Sequence, residues 1–372
     1  MALKSKVNTL MLTVLTVFFW SVSLGNTENK EHKGEEFELV EKFHVSEFIM
    51  DHIGDAHQWH LWGDHHHGTS IYLPIILIDG GLKVFSSSEF YHGEEKEGPN
   101  GQHYIIGHEK GHEYAMFEEK IYKLDNGVLN FNEEGEVMSN RPLDFSVTKN
   151  VLSLLIGAAL MMILMLSSAR YYKKNGAVAP KGVAKFIEPL IIFVRDDIAK
   201  ANIGEHKYKK YVPYLLTIFF FIWINNLLGL IPVFPGGANL TGNIAVTMFL
   251  AVCTLLVTVF SGNRNYWGHI FATPGVPKPL LLIMIPIELV GILTKPFALM
   301  IRLFANITAG HVIILAFICI IFINENAAWG GLSVPMALFI SVLELLVAAL
   351  QAYLFAMLSA LFIGAAVEEH HH

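Results

Sequence analysis

The sequence predicts an all-α polytopic membrane protein with five crossings, two of them a long, strongly tilted antiparallel helical hairpin, plus a small N-terminal extracytoplasmic segment with some β structure. Three observations carry that expectation. The 372-residue chain has a mean hydropathy of +0.45 and is 53 % hydrophobic, as expected of a chain solvated largely by lipid. Its apolar residues gather into five runs, 150–168, 211–233, 243–261, 280–323 and 332–367, each able to span a hydrocarbon core of ~30 Å. Polar residues instead concentrate in 26–144, which holds 24 Asp and Glu against 9 Lys and Arg, and 12 of the 18 histidines.

Residues 1–25 read as a secretory signal: Lys4 and Lys6, an apolar core from Leu10 to Phe19, then Ser23 and Gly25 at the cleavage positions. The core falls short of the ~20 residues of a span, which sets this reading against an uncleaved anchor. Residues 26–145 form the acidic, His-rich segment. Its pieces SIYLPIILI, GLKVF and YIIGH are rich in β-branched and aromatic residues and punctuated by Asp79-Gly80-Gly81, so they predict a small β-containing module. The histidines around His57 and His60 and the run His65-His66-His67 invite a zinc or copper reading, but their spacing matches no defined metal site. No metal or cofactor is assigned. With a formal net charge of −7, the chain also lacks the basic footprint that nucleic acid requires.

Residues 146–372 form the membrane domain. The first run is followed by Arg170, Lys173, Lys174, Lys181 and Lys185, then Lys207, Lys209 and Lys210. The positive-inside rule puts this loop in the cytoplasm, and hence the acidic segment outside and the C-terminus inside. Residues 183–198 mix apolar and charged side chains and predict an interfacial amphipathic helix. The second run approaches its outer end at Asn225-Asn226, and Asn243 opens the third, where it either lines an aqueous path or caps the helix. Cys253 and Cys319 fall inside separate runs and carry no disulfide or metal signature. The terminal His370 to His372 take no part in the argument.

The run 280–323 dominates the chain. Its forty-four residues make ~66 Å of helix, twice the core thickness, so it either breaks, with Pro286 and Pro296 as candidate kinks, or crosses obliquely. The next run is thirty-six residues long, and the short connection makes the two a hairpin. Near the middle of the first arm stands Arg302, an intramembrane charge and therefore a functional-site candidate. In an antiparallel pair, facing residues share a nearly constant sum of residue numbers. Arg302 with Gln351 and His311 with Glu344 both satisfy this, which sets two polar pairs along one seam. Asn306 lies one turn beyond Arg302 on the same face, whereas His311 points roughly opposite.

Arginine stays protonated, so Arg302 is a fixed charge, whereas His311 beside Glu344 can carry a proton. The plainer alternative for that pair is a static ion pair that holds the hairpin together. Glu288 stands about 21 Å before Arg302 along the helix and Glu344 faces a site about 13 Å beyond it. The counter-ion of Arg302 is therefore expected on another subunit.

The string RLFANITAGH, the upstream EL…KPFAL and the downstream LQAYLFAMLSALFIG with a terminal EEH closely resemble subunit a of the F-type ATP synthase, the membrane stator of the FO sector. The likeness covers roughly Phe145 to His370. It implies a multi-pass protein of the bacterial inner (plasma) membrane, with the c-ring and the subunit b peripheral stalk as partners. It also implies a mechanism: each c-subunit carboxylate releases its ion into one half-channel, passes the stator arginine ionised, and reloads from the other. Arg302 matches that arginine, Asn306 and Gln351 its polar companions, and Glu288 an acid on the same helix. Asn243 matches a position that is often acidic and could line a half-channel. Two departures stand out. Many members have Glu at the place of His311 and His at that of Glu344, so the pair is exchanged with its composition kept. A common serine is Ala298 here, and a common aspartate is Gly229.

The alternative is a stand-alone proton-coupled transporter of metal or solute, but no internal repeat relates the two halves of the chain. A third reading, a plain membrane anchor, leaves Arg302, His311 and Glu344 unexplained. No phosphate-binding GxxxxGK[ST] occurs, so the chain is a non-catalytic, ion-translocating subunit rather than the site of ATP chemistry.

Overall fold

In lipid every backbone N–H and C=O must find its partner within the protein, and a run of apolar residues does this by coiling into a helix. The computed structural model describes residues 45–62, 69–99, 101–132, 135–176, 178–231, 234, 236–271, 277–324 and 326–368. The expected signal at 1–25, the run His65 to His67 and the terminal His370 to His372 lie outside the described residues. Five described helices are long and apolar enough to cross a membrane.

The extramembrane module comes first in the chain. Helix α1 (Val45–Ile53) leads into strands β1 (Gln58–Trp62), β2 (Thr69–Tyr72), β3 (Pro74–Ile78) and β4 (Leu82–Ser86), then the short helix α2 (Ser88–Tyr91). Strands β5 (Glu94–Glu97), β6 (His103–Ile106), β7 (Tyr114–Phe117), β8 (Lys120–Lys123) and β9 (Leu143–Asp144) follow. They pair as β1-β2, β4-β3-β9 and β5-β6-β7-β8, all antiparallel. Alternation along β3 turns Ile75 and Leu77 into a core with Phe85, Phe90, Tyr114, Met116 and Ile121.

Two partly buried polar contacts fix the module. At the tight β7–β8 turn, Glu118 and Glu119 both adopt positive φ, of 49° and 58°. That conformation is uncommon for glutamate. Here the Glu119 carboxylate accepts from the His57 backbone N–H at 3.0 Å, meets His57 Nδ1 at 3.1 Å and accepts from the Tyr91 hydroxyl at 3.0 Å. Desolvation raises the proton affinity of Glu119, but these donors outweigh it and hold the carboxyl below its ordinary range. The histidine singled out for metal binding is thus engaged with a carboxylate, and His60 meets the Ser70 hydroxyl. Asp79 accepts from the Tyr114 hydroxyl and pairs with Lys123, which lowers its own pKa.

The module is tied to the membrane helices through Asp55. Its carboxylate accepts from Thr148 Oγ1 at 2.8 Å and from the Asn150 backbone N–H at 3.0 Å, satisfying a free donor at the start of α3 (Lys149–Asn175). The Trp59 ring meets Phe234, just past the second span, edge-on at 5.2 Å.

Beyond α3 come α4 (Val183–Phe193), a π-helical stretch Val194–Lys200 and one further turn, Ala201–Ile203. The spans α5 (Tyr208–Leu230) and α6 (Ile244–Ser261) follow, with the short α7 (Arg264–Phe271) after them. The hairpin arms are α8 (Lys278–Ile323) and α9 (Gly330–Val367). Helix α8 runs unbroken through Pro286 and Pro296 for 46 residues, so the alternative of a break at either proline does not hold. Helix α3 extends past the expected end at Ser168, and α5 closes at Leu230. Helix α5 is the most enclosed of the five spans, and its Leu215, Ile218, Phe220 and Ile222 form the centre of the core. Helices α8 and α9 pack along each other, and α9 also packs on α5.

The end of α9 is pinned. Lys207 Nζ and Asn263 Nδ2 each donate to the Val367 carbonyl at 2.8 Å, and the Asn263 N–H donates to Ala366 O at 2.9 Å. These bonds satisfy carbonyls that a helix end leaves open. Gly364 lets α9 approach the turn after the π-helix so closely that a Cβ there would lie 2.0 Å from the Asn202 carbonyl oxygen. Gly364→Val is therefore expected to destabilise the protein by about 1–3 kcal/mol through overpacking. Gly291→Ala, with nothing within 4 Å, is expected to leave the melting temperature in detergent unchanged.

Candidate functional site

The position of each candidate side chain follows from which stripe of α8 is buried. Leu299, Leu303 and Ile307 recur at helical spacing and are 2 %, 1 % and 3 % exposed, so they form the inward stripe. Arg302 and Asn306 lie beside that stripe, on an exposed flank. Among the described residues nothing forms a hydrogen bond or ion pair with the Arg302 guanidinium.

Gln351 is buried on α9 between Ala348 and Ala352, and no hydrogen bond joins it to Arg302. A constant residue-number sum fixes the height of two residues along the seam, but not the direction each takes around its helix.

The second pair does meet. His311 Nδ1 and Glu344 Oε1 are in direct contact across the seam. The Glu344 side chain is 3 % exposed and that of His311 17 %. The other carboxylate oxygen, Oε2, is buried and has no hydrogen-bond partner among the described residues. Gly310 makes the contact possible, because a Cβ there would sit 2.8 Å from Glu344 Oε1. Gly229 borders the same imidazole: a Cβ there would lie 3.8 Å from His311 Nε2.

The pair opens onto a crevice lined by Asn225, Asn226, Gly229, Asn239 and Thr241. Thr241 Oγ1 donates to Asn226 Oδ1 at 2.6 Å, and Asn226 Nδ2 donates to the Ala348 carbonyl at 3.3 Å. Asn226 is thus a buried bridge between α9 and the connection that follows α5. Asn243 resolves toward capping: its side-chain oxygen accepts from the Ala245 N–H at 2.9 Å at the start of α6, and it is not among the residues lining the crevice. Sequence reasoning missed Asn239 and Thr241. The signal available was the density of amide and hydroxyl side chains on both sides of Pro235-Gly236-Gly237.

Glu288 occupies the other end of α8. Burial, followed by the Glu288 charge, raises the pKa of Tyr266 on α7. Tyr266 in turn lines a second crevice with Thr258, Lys295 and Phe362, where Lys295 Nζ lies 5.9 Å from the Phe362 ring centre. Arg302 stands between the two crevices, about 10 Å beyond Lys295 and about 13 Å before His311 along the helix axis.

Comparison with known proteins agrees with this layout. Residues 151–364 match the ATP synthase A chain family, and residues 48–145 match a Domain of unknown function (DUF8433). The chain is 48 % identical over 254 residues to ATP synthase subunit a 2 of Chlorobaculum tepidum, covering 65 % of this chain and 70 % of that one. It is 42 % identical over 314 residues to ATP synthase subunit a 2 of Prosthecochloris aestuarii, covering 82 % and 93 %. ATP synthase subunit a of Anaeromyxobacter sp. is 46 % identical over 239 residues, 62 % of this chain and 56 % of its own. With the family pattern spanning more than half of the chain and the long polar-seamed hairpin inside it, the protein belongs to the ATP synthase subunit a family, the proton-translocating stator subunits of the FO sector.

Proposed function

We propose that the chain forms two aqueous half-channels against a ring of c subunits, with Arg302 as the fixed charge that separates them. One observation carries this reading: Arg302 is exposed on one flank of α8 with no acid among the described residues bonded to it, while the titratable pair His311 and Glu344 is bonded on the other side of the helix. A cation at membrane depth needs an anion, and a carboxylate on a passing c subunit supplies one. Asn306 shares the exposed flank and helps orient that carboxylate. Gln351 supports the seam behind it.

Protons enter from outside through the crevice of Asn225, Asn226 and Thr241, and pass from His311 and Glu344 to the c-ring. They leave on the cytoplasmic side near Glu288. The 46-residue α8 makes ~69 Å of helix, so both hairpin arms cross at a steep tilt along the ring. Residues 1–25 act as the export signal, the acidic segment lies outside, the C-terminus lies inside, and subunit b holds the stator in place. The Lys and Arg cluster at the end of α3 and in the chain that follows it supports this orientation.

The Arg302→Ala variant is expected to lose proton-driven ATP synthesis by about 100-fold or more while the complex still assembles. Arg302→Lys is expected to fail as well, because an ammonium lacks the planar fork. Near-normal synthesis in inverted vesicles by either variant refutes the assignment. His311→Ala and Glu344→Ala are expected to be strongly non-additive in passive proton conduction, since they act as one unit. Additive losses in the double-mutant cycle refute the relay.

A further inference from the structure

We infer that the outward face of the sheet β4-β3-β9 rests on the outer leaflet of the lipid bilayer, beside the first span. Cross-strand partners share a face of a sheet. Ile76 pairs with Val84, and Ile78 pairs with both Leu82 and Leu143. The Phe145 N–H bonds to Ile76 O at 2.8 Å, which continues the ladder by one residue. Because Ile75 and Leu77 point into the core, these six residues point away from it. Five of them are from 44 % exposed at Ile78 to 70 % exposed at Leu82. A contiguous apolar patch of this kind marks a surface that something covers.

The chemistry of the face selects the occupant. The remaining residues directed outward from the paired strands are Pro74 and Ser86, so the face carries no charge, although its segment holds 24 acids and 9 Lys and Arg. Asp79, Lys83, Glu113 and Lys123 are spent on one another elsewhere in the module. The face also offers no aromatic cluster and no row of donors of the kind that anchors a protein partner. An acyl-chain boundary requires neither.

Position supports the same occupant. Phe145 precedes Lys149, the first residue of α3, by four residues, a span of at most about 14 Å. Helix α3 presents an exposed apolar flank of its own in Leu155, Met162, Ile163 and Leu166. The sheet face is continuous in sequence with that lipid-facing flank. The Asp55 bonds to Thr148 and Asn150 hold the module at this junction. An acidic module is repelled by anionic headgroups, so its contact with lipid falls on a face that carries no charge.

The test uses the assembled complex in liposomes, with Cys253 and Cys319 replaced and a nitroxide placed on Ile78→Cys, Leu82→Cys or Leu143→Cys. Leu155→Cys serves as the lipid reference and Glu94→Cys as the aqueous one. Collision of the label with oxygen, which concentrates in lipid, is expected to match the Leu155 reference, and collision with a water-soluble nickel chelate is expected to fall several-fold below the Glu94 reference. High nickel collision means a water-exposed face and overturns the inference. Low collision with both reagents means that protein covers the face, a second copy or another subunit, and overturns it equally. Where a label blocks assembly, Leu143→Trp with brominated lipid gives an independent reading: quenching supports lipid contact, and unquenched emission overturns it.

Discussion

A permanent cation on the outer flank of a long apolar helix is the constraint to which the rest of the structure answers. Arg302 cannot shed its proton and has no bonded acid among the described residues of its own chain. The inner stripe of Leu299, Leu303 and Ile307 commits α8 to pack against α6 and α9, and leaves Arg302 on an exposed flank beside that stripe. The hairpin also keeps the titratable groups on the other side of the helix, where Glu344 is enclosed and meets His311. A charge that never titrates and a pair that can are held on opposite sides of one helix, within a few turns of each other.

Much of this was legible in the sequence, for identifiable reasons. The five apolar runs fall on the five long helices because lipid imposes both hydropathy and backbone coiling on the same residues. The ends differ where the two requirements part. Helix α3 continues through Arg170 to Asn175 because these residues sustain helical hydrogen bonds after the apolar run has stopped. Helices α1 and α7 were not foreseen, since eight or nine residues give too short a periodic signal. The His311 and Glu344 contact was legible from antiparallel register. The lack of a bond from Arg302 to Gln351 was not, because register carries no azimuth. The crevice residues Asn239 and Thr241 come from irregular chain, where sequence offers no period to read.

The extramembrane module shows how composition and architecture answer different questions. Its abundance of histidine invited a metal reading, yet His57 is bonded to Glu119 and His60 meets Ser70. The strand pattern was the more informative signal. SIYLPIILI contains most of β2 and all of β3, and the alternation within β3 separates an enclosed face from an apolar outward one.

The pinned end of α9 has a mechanical consequence. A stator is pushed sideways by the rotor it works against, and a hairpin free at both ends would yield to that load. Lys207, Asn263 and the close approach at Gly364 clamp the last turn of α9 to two separate connections of the chain. The arm is thereby built like a cantilever, stiff at its root.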